Sequence, residues 1–135
     1  MQIIISETRD LLLEDILKLY KANEWSSANK PLQLHQALLN SESLITAWEN
    51  KKLVGLGNAI SDGYLTVYYP HLLVLPEYQG KGIGKMILEK LQEKYRDFHM
   101  QMLTADGKAV AFYKKNGFER AGKTEPMWIY QGEEH

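Results

Sequence analysis

An apolar tetrapeptide, Leu72-Leu73-Val74-Leu75, runs into Pro76-Glu77-Tyr78-Gln79-Gly80-Lys81-Gly82-Ile83-Gly84-Lys85, where glycines stand at alternate positions. Consecutive apolar residues without polar alternation are what a strand buried on both faces needs. Ile83, Ile87, Leu88, Leu91 and Tyr95 then recur at helical spacing, so a helix is expected over residues 80–95. The glycines remove side chains where the chain turns and let backbone N–H groups converge on an anion. The unpaired N–H groups and positive dipole end of a helix start add to that attraction. Lys81 and Lys85 supply local charge. A phosphate or pyrophosphate suits such a loop; close packing of strand on helix is the other use of the same glycines. A Walker loop is excluded because Met86, not Ser or Thr, follows Lys85, and a G-x-G-x-G spacing is not the G-x-G-x-x-G dinucleotide fingerprint.

The remaining segments place this unit in a mixed fold. Gln2–Ser6 reads as a strand. Thr8–Asn23 is a helix with Leu12, Ile16, Leu19 and Tyr20 on one face, capped by Thr8 or Asp10. Pro31 opens a second helix to about Asn40, with Leu34, Ala37 and Leu38 inward. Ser43–Trp48 and Leu53–Ile60 form a hairpin, and Asp62-Gly63 turns the chain into a long strand over Tyr64–Leu75. Pro70 predicts a bulge or break within that strand. His99–Leu103 is a strand, Lys108–Lys115 a helix, and Phe118–Ala121 with Met127–Tyr130 a closing strand pair. The predicted order, β-α-α-β-β-β-α-β-α-β-β, is an α/β fold of mixed α+β layers with helices on both faces of one sheet. The 135 residues fit a single domain, 1–135.

Composition removes several chemistries. The chain has no cysteine, which excludes disulfides, thiolate metal sites and a cysteine nucleophile. Its four histidines, His35, His71, His99 and His135, are scattered, so no metal is expected. A net charge of −1 argues against a nucleic-acid partner. No apolar run approaches bilayer length and Met1–Asp10 carries no leader pattern, so a cytoplasmic protein without a membrane partner is expected.

Gln79-Gly80-Lys81-Gly82-Ile83-Gly84 matches the Q/R-x-x-G-x-G/A signature of the GNAT superfamily of N-acetyltransferases. The preceding Leu73–Tyr78 is similar to that family's strand and turn. Ala109-Val110-Ala111-Phe112-Tyr113-Lys114-Lys115-Asn116-Gly117-Phe118 resembles its second signature, A-x-x-F-Y-x-K-x-G-F. The predicted element order agrees along the whole chain, and Gly57–Gly63 is similar to the arylalkylamine-type subgroup. The resemblance implies a GNAT-like fold whose mostly antiparallel sheet is splayed at the cofactor site, and acetyl-CoA as cosubstrate. The CoA pyrophosphate would sit on Gln79, Gly80, Lys81, Gly82, Ile83, Gly84 and Lys85. The pantetheine arm would pair with the backbone of Leu72, Leu73 and Val74, making side-chain identity there of little consequence.

The resemblance further implies direct attack of an amine on the thioester in a ternary complex. A backbone N–H from Val74 or a neighbour would hold the oxyanion. Tyr113 matches the family's tyrosine, which protonates the leaving thiolate or steadies it by a hydrogen bond; taken alone it reads rather as a core aromatic on an amphipathic helix, and the surrounding motif reverses that preference. Tyr68, Tyr69 and His71 are candidates for the base, His71 having the most suitable intrinsic pKa. Because a strand alternates faces, the register across Pro70 decides which of them reaches the site. Trp25 and Tyr69 are candidate acceptor contacts, Trp25 reading either as a ring flanking an amine or as a lid packed over the core. The chain has Ala105-Asp106-Gly107 where the family often has an asparagine, so a cofactor contact from that position is not carried over. Trp48 and Trp128 read as packing residues in strands. The acceptor is a primary amine of a small molecule or a lysine, and a homodimer through the terminal strands is compatible with the family. A non-catalytic acyl-CoA-binding module is the alternative, against which Tyr113 argues; an interaction protein with purely structural glycines would bind no CoA.

Overall fold

The computed structural model describes residues 1–133. In chain order these are β1 (Ile3–Ser6), α1 (Leu13–Ala22), a 3-10 turn (Ser26–Asn29), α2 (Pro31–Leu39), β2 (Ser43–Glu49), β3 (Lys52–Ser61), β4 (Thr66–Tyr68), β5 (Leu72–Val74), a second 3-10 turn (Pro76–Tyr78), α3 (Ile83–Tyr95), β6 (Met100–Met102) and α4 (Ala109–Lys115). The strands form one sheet in the order β1-β2-β3-β4-β6, with β5 paired on β3 beyond β4. All pairings are antiparallel except β4 with β6.

α3 buries the stripe its spacing predicts, Ile83, Ile87, Leu88, Leu91 and Tyr95. It lies close to the sheet because β3 offers glycines beneath it. A Cβ on Gly57 would stand 2.8 Å from Ile87 Cγ2, and one on Gly55 3.1 Å from the Leu73 carbonyl oxygen. α1 buries Ile16, Leu19 and Tyr20 on the other face, with Glu14 and Asp15 favourably placed in its first turn. It starts at Leu13 without a side-chain cap, so neither Thr8 nor Asp10 caps it, and Leu12 is exposed. Pro31 opens α2 as expected; Leu34 and Leu38 are buried, but Ala37 faces solvent.

The break expected at Pro70 divides the long strand into β4 and β5. The predicted terminal strands are corrected: residues 118–130 run without ladder partners among the described residues. Met127 and Ile129 are over nine-tenths exposed, and Trp128 is exposed too, its ring stacked on that of Tyr130 at 4.3 Å. The apolar and aromatic run 127–130 suits a strand, but among the described residues no sheet edge pairs with it and no ladder forms.

The break between β4 and β5 has an exact stoichiometry in the register. Ile60 faces Tyr68, and Gly57 faces Leu72. Three steps along β3 are therefore matched by four along the other strand, which is a one-residue bulge. It turns the chain over: Tyr69 packs at 6.2 Å on Tyr95 of α3, whereas His71 packs at 5.4 Å on Tyr20 of α1. In an unbroken strand these two positions would share a face.

If the α3–β3 approach sets the fold's geometry, Gly57→Ala should cost about 1–3 kcal/mol through overpacking. Thermal unfolding should show this as a melting temperature several degrees lower, and an unchanged value would contradict the tight approach.

Candidate active site

β5 ends where Leu75 N–H donates to the Val54 carbonyl at 2.8 Å, and a single 3-10 turn leads to Gln79. Tyr78 anchors this turn by donating its hydroxyl to Glu49 Oε1 at 2.5 Å, while exposed Glu77 pairs at 3.8 Å with Lys52. Gly80 and Gly82 then adopt φ of +76° and +85° with open space where a Cβ would stand. Their need for glycine is conformational, not steric. These two residues also delay the helix, which starts at Ile83 rather than at Gly80. The first helical bond runs from Met86 N–H to the Gly82 carbonyl, so the N–H groups of Ile83, Gly84 and Lys85 have no partner within the helix. Gly84 serves packing instead: a Cβ there would touch Phe112 Cζ at 3.6 Å, which seats α4 against the start of α3. Lys81 and Lys85 are exposed beside the loop, Lys81 with its ammonium 5.9 Å from the Tyr78 ring. The loop thus presents convergent donors and positive charge, and fits a pyrophosphate.

The strand leading to the loop carries a second row of donors. Asn58 N–H reaches the His71 carbonyl and Leu75 N–H the Val54 carbonyl, so His71, Leu73 and Leu75 turn their backbone groups toward β3. By alternation, Leu72 and Val74 turn theirs to the other edge. Among the described residues no strand pairs with that edge, because β6 pairs with β4 and stops beyond the bulge. The Val74 carbonyl accepts from two side-chain amides, Asn23 Nδ2 at 3.1 Å and Gln79 Nε2 at 3.0 Å. The side chains of Leu72 and Val74 lie toward α3, near Gly57 and Gly84 respectively, away from the outward-facing backbone row. This is the splay that an extended, amide-bearing ligand needs in order to add itself as a strand.

The bulge is stabilised by a residue that sequence reasoning missed. Asn58, 3% exposed, lies opposite it in β3. Its Oδ1 accepts from His71 N–H at 3.0 Å, and its Nδ2 donates to Ser41 Oγ at 3.0 Å. The extra residue takes His71 N–H out of reach of a ladder carbonyl, and the side chain supplies one. The available signal was a single amide inside the otherwise apolar run Leu53–Ile60.

His71 meets Tyr20 and Trp25 on the α1 side. Tyr20 Oη lies 2.7 Å from His71 Nδ1, and the Trp25 ring meets His71 edge-on at 5.2 Å and Tyr20 at 5.7 Å. Tyr20 is fully buried, and burial pushes its hydroxyl well above the ordinary phenol range. It therefore stays protonated, and its rotating hydroxyl can donate to Nδ1 or accept from it. Tyr69 does not join this group. It is 5% exposed, gives its hydroxyl to Gln101 Oε1 at 2.7 Å and packs on Tyr95 and Phe118; burial holds it protonated too. Its place is in the core on the α3 side, which removes it as an acceptor contact.

Tyr113 sits on α4 between Phe112 at 5.1 Å and Phe118 at 5.8 Å. Burial pushes its hydroxyl up to about 12. It approaches from the α3–α4 face of the sheet and His71 from the α1 face. A further feature escaped the sequence: Ser26 Oγ binds Tyr130 Oη at 3.0 Å and accepts from Glu133 N–H at 3.2 Å. This holds residues 130–133 beside the 3-10 turn that follows Trp25. A cleft of about 350 Å³ lies between them, lined by Ser26, Lys30, Tyr130 and Glu133 and by none of the glycine-loop residues. Among the described residues no group of three or more His, Asp or Glu side chains is placed to hold a metal, and no helix is long and apolar enough to cross a membrane.

Residues 11–126 match the family model described as the acetyltransferase (GNAT) domain. A Streptococcus pneumoniae acetyltransferase of the GNAT family is 31% identical in sequence and superposes with a TM-score of 0.83, covering 96% of this chain and 99% of that one. The soybean (Glycine max) protein named histone acetyltransferase TAP1 is 32% identical over 132 residues, 87% of this chain and 56% of that protein. The chloroplastic GCN5-related N-acetyltransferase 2 of Arabidopsis thaliana is 42% identical over 73 residues, 53% of this chain and 28% of that protein. The chain thus spans about half or less of these two plant relatives.

Proposed function

Because this chain belongs to the GNAT family of acetyltransferases, we propose that it moves an acetyl group from acetyl-CoA to a primary amine, of a small molecule or a lysine, by direct attack in a ternary complex. The observation that carries this reading is the arrangement of donors. The outward N–H groups of Leu72 and Val74 and the N–H groups of Ile83, Gly84 and Lys85, free of helical partners, stand at the two ends of one short segment, joined by a single 3-10 turn and the glycine loop.

The segment Gln79 to Lys85 holds the pyrophosphate, with the N–H groups free at the start of α3 as donors and Lys81 and Lys85 adding charge. The backbone of Leu72 and Val74 holds the pantetheine arm. Leu73 faces β3 and contributes packing only, which narrows the earlier expectation for this strand. Acetyl-CoA, when bound, supplies a thioester carbon that an unprotonated amine can attack. With the phosphates at the loop, the reacting end lies toward the bulge. Leu72 N–H is then the nearer oxyanion donor, in place of Val74. His71 takes the proton from the ammonium, its ring held at Nδ1 by Tyr20. Trp25 offers its ring beside His71 to the acceptor.

Tyr113 acts on the leaving thiolate. A phenol pushed up to about 12 is a poor proton donor to a thiolate of ordinary pKa near ~8.5. It steadies that charge by a hydrogen bond while keeping its own proton. The same chemistry needs neither metal nor nucleic acid, and the reading includes a cytoplasmic setting.

Acetyl transfer is read as CoA thiol released with a panel of primary amines and lysine peptides. Tyr113→Phe should lower kcat roughly a hundredfold with acetyl-CoA affinity nearly unchanged. An equal rate would reduce Tyr113 to packing. Because the raised pKa keeps the neutral form dominant well above the ordinary 10, the wild-type rate should not fall at pH 9–10 on its account. An alkaline loss with a midpoint near ~10 that vanishes in Tyr113→Phe would contradict that role.

The same reading includes a homodimer. Met127, Trp128 and Ile129 stand exposed in sequence, and Ile60, Tyr68 and Met100 are exposed on neighbouring positions of the β3-β4-β6 end of the sheet. Light scattering should give twice the chain mass, and Trp128→Glu should return it to one. A monomer at every concentration would remove the dimer from the account.

A further inference from the structure

Three residues from three elements meet at the Val74 carbonyl. Asn23 Nδ2 and Gln79 Nε2 both donate to it, at 3.1 and 3.0 Å, and Gln79 Nε2 also reaches Asn23 Oδ1 at 3.2 Å. Val74 is the last residue of the open strand, and Gln79 is the first residue of the glycine loop. Asn23 is the C-cap of α1, where its Nδ2 also donates to the Leu19 carbonyl at 3.0 Å. The chain turns sharply there, with Glu24 at φ +60° and Trp25 N–H returning to the Tyr20 carbonyl at 3.0 Å. Tyr20 and Trp25, which form the aromatic side of the site, are thus two or three residues from a junction that includes both arms of the CoA-binding surface.

We infer that Asn23 is a positioning residue that passes occupancy of the CoA surface to Trp25. The inference rests on the assignment of Gln79–Lys85 and β5 to CoA. A ligand that takes the outward N–H of Val74 and the loop amides fixes the peptide groups on either side of the Val74 carbonyl. Asn23 holds that same carbonyl and the end of α1 with one amide nitrogen. Order imposed on β5 and the loop is therefore imposed on the Asn23–Trp25 turn, so the acceptor side is set when CoA is bound. Gln79 alone does not close this path: its side-chain amide reaches the Val74 carbonyl and, toward α1, the Asn23 side chain itself.

The test separates a link from simple proximity to the ligand. The probe is CoA, and the readout is ¹⁹F NMR of protein labelled with 5-fluorotryptophan. The three tryptophans give Trp25 as the reporter, assigned by Trp25→Phe, and Trp48 and Trp128 as controls of the folded state. Calorimetry measures CoA binding in parallel. The decisive variant is Asn23→Ser. A serine can still cap α1 by donating to the carbonyl four residues back, as Ser41 does to Ala37 at 2.8 Å, but is too short to span to Val74. The wild type should bind CoA and move the Trp25 resonance. Asn23→Ser should bind CoA within about tenfold of the wild type, the loss expected for one hydrogen bond, while its Trp25 resonance stays at the free position. Asn23→Ala serves as a second variant with the same expectation. The inference is overturned if the Trp25 resonance moves equally in a folded variant. It is also overturned if the wild-type resonance does not move although calorimetry shows CoA bound. Absence of CoA binding to the folded wild type would instead remove the CoA assignment, and this inference with it.

Discussion

Two antiparallel strands keep all their facing amides engaged only while they advance residue for residue. Here one strand advances four residues against three, between Tyr68 and Leu72, and the ladder on its far side ends there. An extra residue leaves a buried N–H without a ladder carbonyl, at a cost of about 1–3 kcal/mol if nothing replaces it. Asn58 replaces it, and its other amide atom is held by Ser41. The bulge is therefore a stable feature of the native sheet. From it follow the open edge at Leu72 and Val74, the separation of Tyr69 from His71, and the approach of His71 to Tyr20.

The loop depends on a different constraint. Glycines in β3 let α3 lie close to the sheet, and Gly80 and Gly82 take left-handed backbone just before it. The helix start is thereby aimed at the end of the same open edge. Neither feature alone makes a site. A row of strand donors without an anion cradle would be an aggregation-prone edge, and a helix start without the edge would hold only a phosphate. In the proposed reading, the two together take a long ligand with an anionic end and an amide-bearing arm.

Much of this was legible from residues. The apolar run, the glycine spacing and the α3 stripe are local patterns, and the structure places Leu72 to Lys85 together as a strand, loop and helix start. Pro70 announced a break but not its parity, because a proline is compatible with either register. Tyr69 and His71 thus both remained candidates until the count of residues across the bulge was known; one is core and the other faces α1. Asn58 and Asn23 act through carbonyl and amide partners far away in sequence, which no periodicity encodes. Residues 127–130 have strand-like composition, but strand formation needs a partner edge, and composition says nothing of that. The contact of Ser26 with Tyr130 and Glu133 was invisible for the same reason.

The proposed site is built from backbone groups, so backbone amide hydrogen exchange tests it most directly. Free protein should exchange rapidly at Leu72 and Val74, whose N–H groups face the open edge, and slowly at Leu73, which is paired with β3. Saturating CoA should slow exchange at Leu72 and Val74 and leave Leu73 as it was. Slow exchange at Leu72 and Val74 before CoA is added would contradict the open edge, and so would exchange unchanged by CoA that calorimetry shows to be bound.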